Sequence, residues 1–168
     1  MLETAVNAEP AWLSAGDWDA IGEAAVLAAV HASPFANLLT AAPLIEISVR
    51  LTSDDEVHAL NRQYRDKNKP TNVLSFPMIE PDEIAQLAAS RDPEIMLGDI
   101  ILAHGVCLAE AAERGVNVEA HTTHLIVHGT LHLLGYDHVG DEEAEMMEAL
   151  ERQIMSGLGL HDPYAIED

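Results

Sequence analysis

The chain has 168 residues, of which 48% are apolar and 22% charged, enough to bury a core of its own and typical of a globular protein. Twenty-nine acidic residues against eight basic ones leave a net charge of −21, which disfavours nonspecific adhesion to nucleic acid through phosphate neutralisation. No apolar run approaches the ~20 residues that cross a bilayer, so no membrane contact is expected.

The N-terminal MLETAVNAEPAW carries acid where an export signal carries Lys or Arg, and a lone cysteine suits a reducing compartment. Together they point to the cytoplasm. Cys107 itself reads as a small buried hydrophobe on a helix.

In chain order, Asp17 to His31 has helical composition behind an Asp17 cap, and a loop follows around Ser33 and Pro34. LIEISVRL at 44–51 alternates apolar and polar side chains with β-branched residues, the pattern of a half-buried strand. Ser53 or Asp54 caps a helix running to about Arg65, on which Leu60 and Tyr64 recur at helical spacing beside Val57. DKNKPTN is a loop, and VLSFP a short strand closed by Pro77. Residues 78–95 are rich in proline with a weak helical patch, IAQLAAS, and read as an insertion or flap within one domain. MLGDIILA at 96–103 is a strand, followed by helices at about 104–114, 119–134 and 141–157 and a DPY tail.

Four of the eight basic residues, Arg62, Arg65, Lys67 and Lys69, fall within eight positions, opposed only by Asp66. On composition alone they are a solvated helix end, where positive side chains meet the negative end of the helix dipole. Acids crowd instead into DEEAEMMEALE at 141–151.

The histidines carry the chemistry. In AHTTHLIVHGTLHLL, His128 and His132 lie four apart and share a helical face, so both can point at one ion. His124 and His132 are separated by roughly 12 Å along the axis, too far to hold the same ion. Gly135 just past the helix can adopt positive φ and reverse the chain, bringing His138 back over the same face. The pattern H-x-x-x-H-x-x-G-x-x-H therefore predicts one metal ion held by His128, His132 and His138, with a fourth position open to water or substrate. His121 and His124 either support that site from behind or pack ordinarily. His31, His58, His104 and His161 lack a partner at ligand spacing and read as structural or solvated.

Zinc proteases with this spacing place a general-base glutamate directly after the first histidine, where this chain has Gly129. Peptide hydrolysis is correspondingly weakened. Phosphodiester cleavage asks for different groups: a metal to polarise a phosphoryl oxygen and a guanidinium to bind charged oxygens, a role open to the basic cluster.

Three blocks, LNRQYRDKNKPTNVLSFP at 60–77, LGDI at 97–100 and HGTLHLLGYDH at 128–138, resemble the YbeY family of bacterial endoribonucleases, as do the acidic helix and the DPY tail. The similarity spans roughly residues 44–164, and residues 79–95 look longer than the family's usual connection. The resemblance implies an α+β single domain, a small mixed sheet of about four strands packed with helices, metzincin-like around the metal. It implies one zinc ion per chain on His128, His132 and His138, with Arg65 matching an arginine important near the metal. It further implies cleavage of single-stranded RNA, maturation of the 3′ end of 16S ribosomal RNA, ribosome quality control, and small-subunit components as partners. Ser75, Asp99 and Asp137 lie in the matching blocks as polar residues able to assist proton transfer, each with an ordinary structural role open to it. Two other readings stay open: a metzincin-like zinc protease, and a ribosome-assembly factor whose zinc is mainly structural.

Overall fold

The computed structural model of the chain describes residues 1–13, 16–137 and 139–165. Strand β2 (Leu44–Thr52) forms where the alternating apolar residues Ile45, Ile47, Val49 and Leu51 turn fully into the core. Strand β4 (Glu94–Ala103) lies parallel beside it, with a register shift between Glu46 and Ile47. Strand β3 (Val73–Pro77) runs antiparallel along the far side of β4, and β1 (Leu2–Ala8) parallel along the far side of β2. The result is one mixed sheet of order β1-β2-β4-β3.

Five α-helices and three short 3-10 segments are present among the described residues, and the fold is α+β as the sequence implies. Helix α1 (Trp18–Ala32) starts where the Asp17 side chain accepts from the Ala20 N–H, and α2 (Asp54–Arg65) where Ser53 accepts from the Glu56 N–H. Helices α3 (His104–Arg114), α4 (Val118–Leu133) and α5 (Asp141–Gly157) follow the expected boundaries within a residue. Cys107 is buried on α3 with its thiol pushed up to about 12, chiefly by desolvation, which fits a packing role.

Helix α4 is buried on nearly every side, and its buried residues include His121, Thr122, Thr123, His124 and Thr130 beside the apolar ones. It packs against α1, α3, β3 and β4. At Gly129 this closeness becomes specific: a Cβ built there would lie 2.9 Å from Ile100 Cγ2 on β4. The position where a protease keeps its base is here pressed against the sheet, and any side chain there would have to displace Ile100.

The stretch at 78–95 contributes a 3-10 segment, Pro81–Ala89, whose Ile84 and Leu87 are buried. It is docked on the core and, through Pro81, borders the cleft described next.

Candidate metal centre and cleft

Helix α4 ends in two backbone hydrogen bonds, Gly135 N–H to His132 O and Tyr136 N–H to Leu131 O, each 3.0 Å. They define a Schellman-type stop, with Gly135 at φ +97°. The reversal has a chemical result. It places the Tyr136 carbonyl 2.9 Å from His132 Nδ1. On the neighbouring turn, His128 Nδ1 lies 2.8 Å from Glu151 Oε1 on α5.

A carbonyl only accepts, and so does an ionised carboxylate, so both Nδ1 atoms must carry the hydrogen. The Nε2 atoms of His128 and His132 then both present lone pairs, and they face one another at 3.1 Å. Two lone pairs that close repel unless a proton or a metal cation lies between them. That donor set fits a metal ion such as zinc. His138, the third ligand expected from the spacing, lies outside the described residues. Among the described residues no group of three or more ligand-type side chains is arranged to hold a metal.

The histidine pair opens into a cleft of about 540 Å³ whose walls include Arg65, Ser75, Pro81 and Asp137. Arg65 reaches it from the last turn of α2, where Nη2 donates to the Ser75 carbonyl at 2.7 Å and the guanidinium lies 5.6 Å from the Phe76 ring centroid. Arg65 is thus both an exposed helix-end cation and a wall of the histidine cleft. Of the three polar candidates, Ser75 and Asp137 line this cleft, whereas Asp99 lines a separate cavity with Asn7 and Arg50.

The model of the Endoribonuclease YbeY family matches residues 21–159. Curated proteins of that name are similar along the whole chain: 61% identity in Rhizorhabdus wittichii, covering 100% of this chain and 99% of the relative, and 54% in Sphingopyxis alaskensis, covering 100% of both. The protein from Zymomonas mobilis is 47% identical over 98% of this chain and 94% of its own length. The chain belongs to the YbeY family. A solution structure of a Thermotoga maritima protein covers 99% of this chain and 100% of its own at 22% identity and a TM-score of 0.51, a likeness of fold.

In this member of the YbeY family, the residue that sequence reasoning missed is Glu151. It is fully buried, and Oε1 accepts from His124 Nε2 at 3.0 Å as well as from His128, while Oε2 accepts from the Tyr164 hydroxyl at 2.6 Å. Burial pushes its carboxyl up, but the hydrogen bonds from His124, His128 and Tyr164 outweigh that and hold it at about 2. The Tyr164 hydroxyl is pushed up in turn, by burial first and then by that carboxylate. A signal was available: Glu151 falls on the apolar stripe of α5 formed by Met147, Ile154 and Met155. The DPY tail earns its place through Asp162, which accepts from the Tyr164 N–H at 2.8 Å and from Arg152 Nε at 3.3 Å, steering the phenol onto Glu151.

His124 therefore commits its Nε2 to the carboxylate behind His128. His121 is buried and pairs with Glu110 at 2.8 Å; desolvation lowers its pKa. Glu110 also accepts from Asn72 at 3.0 Å, tying α4 to the start of β3. His58 bonds Asn68, His104 packs edge-on to Trp12, and burial lowers His161; none of the three lines the histidine cleft.

The helix stop gives a test of its own. Gly135→Ala must hold a Cβ at positive φ, 3.1 Å from Pro81 Cβ. The strain of such a conformation is about 1–2 kcal/mol, and the urea midpoint should fall accordingly. An unchanged midpoint would show that the turn relaxes without cost.

Proposed function

We propose that this chain is a zinc-dependent endoribonuclease for single-stranded RNA. It would act in maturation of the 3′ end of 16S ribosomal RNA and in ribosome quality control, in the cytoplasm, alongside small-subunit components. The observation that carries the chemistry is the pair of Nε2 atoms held at 3.1 Å in the same cleft as the Arg65 guanidinium. The ribosomal setting rests on the family resemblance alone.

His128 and His132 would hold the ion, with His138 as the expected third ligand and a metzincin-like arrangement around it. Zinc bound there supplies Lewis acidity toward a phosphoryl oxygen. The chain's own residues do the rest. Arg65 spends one N–H on Ser75 and keeps further donors of its planar fork for phosphate oxygens. Glu151 and the Tyr136 carbonyl fix the tautomer and orientation of the two rings. Gly129, packed against Ile100, brings no protease-type base to the site, which favours phosphate over peptide chemistry.

The test offers single-stranded RNA and an unfolded protein side by side to the purified, metal-analysed chain. Close to one zinc per chain is expected, with RNA cleavage that stops on chelation and returns with zinc. Zinc-dependent proteolysis without RNA cleavage would replace the nuclease reading with the protease. Zinc binding with neither activity would leave an assembly factor.

A further inference from the structure

The last turn of α2 exposes an aromatic ring where the chain gathers its cations. Tyr64 is 61% exposed, although it follows Val57 and Leu60 at helical spacing and those two turn inward. Lone exposed aromatics are ordinary. This one is not alone. Its ring packs edge-on against Phe76 with centroids 5.6 Å apart, and the Arg65 guanidinium lies 5.6 Å from the same Phe76 centroid. Tyr64 and Arg65 thus share the Phe76 ring as a neighbour, and of the three Arg65 lines the cleft.

Three further basic residues, Arg62, Lys67 and Lys69, lie within four positions of Arg65 in the chain, all exposed, in a protein of net charge −21. The loop carrying Lys67 and Lys69 is pinned down. Asp66 turns the chain at φ 54°, Lys67 N–H donates to Asn61 O at 3.2 Å, and the buried Asn61 side chain donates to the Lys69 carbonyl at 2.9 Å. An exposed aromatic face beside cations is what binds unpaired nucleotides, because every base has a face to stack and every nucleotide a phosphate.

Resting on the RNA reading above, we propose that Tyr64 is a stacking platform for the base of a nucleotide next to the phosphate held by Arg65. The α2 end is then a substrate subsite that selects unpaired RNA. In a duplex the bases already stack on one another and cannot swing onto the ring.

The test uses the full chain with its metal, in single-turnover cleavage of a short single-stranded RNA. Tyr64→Ala should raise the half-saturating concentration about ten- to hundredfold, the usual effect of removing a stacking ring, while the rate at saturation changes little. Tyr64→Phe and Tyr64→Trp should restore wild-type behaviour, whereas Tyr64→Leu should not. Substrates made abasic at one position at a time supply the second readout. One position should weaken binding by the wild type but not by Tyr64→Ala, the coupling expected of direct partners.

Equal half-saturation for wild type and Tyr64→Ala, or full rescue by Tyr64→Leu, overturns the stacking platform and leaves the nuclease reading standing. Absence of RNA cleavage by the wild type overturns both.

Discussion

Glu151→Gln is expected to weaken binding of the proposed zinc about 10–100-fold, the usual cost of losing a group that orients a metal-bound histidine. Glutamine keeps the volume but not the charge. It can still accept from His128 Nδ1, yet it pulls less on that N–H and leaves Nε2 less basic. Competition against a chromophoric chelator reads the loss directly. Glu151→Ala goes further, since it strands His124, His128 and the Tyr164 hydroxyl around a fully buried position. Breaking a buried charged cluster from one side typically costs roughly 3–5 kcal/mol, so the metal-free protein should unfold at markedly lower urea. Chelator curves that superimpose for wild type and Glu151→Gln would remove the carboxylate from any role in metal holding.

Arg65→Lys is expected to keep zinc and fold but lose about 10²–10³ in RNA turnover, the typical cost of one charge-stabilising donor. A lysine ammonium has neither the planar fork nor the reach to bond Ser75 and a phosphate together. Arg50→Lys is the control. Arg50 pairs with Glu56 at 2.7 Å and lines the other cavity. Equal rates for the two variants at equal zinc content would return Arg65 to a plain helix-end cation.

What could be read beforehand was whatever local spacing encodes. The four-residue interval of His128 and His132 and the glycine after their helix are local, and both histidines and the turn at Gly135 lie where that spacing puts them. Strand β1 was not singled out, although a sheet of about four strands was expected. LETAVNA has two alanines, an asparagine and only two large apolar residues, and as an edge strand it buries its side chains only in part, so its alternation is faint. The partnership of Glu151 with His128 spans 23 residues, and the acids around it on α5 disguise the single one that turns inward. Tyr64 shows a related limit of local spacing. Helical spacing gives a shared face but does not say where the covering layer stops, and here it stops at Leu60.

The bond between Arg65 and Ser75 also bears on which polymers the cleft can accept. Strand β3 lies at the edge of the sheet, pairing with β4 on one side only. Such an edge can recruit an extended polypeptide as an additional strand through its outward main-chain groups. Here the outward carbonyl of Ser75 is already taken, at 2.7 Å, by a guanidinium anchored in another element. A peptide adding itself alongside β3 would have to evict that side chain and leave a cation competing for the same carbonyl. A polyanion meets no such contest, because it can use the donors that Arg65 has left over. Under the proposed function, the same hydrogen bond would disfavour strand addition at Ser75 and leave donors of Arg65 for phosphate.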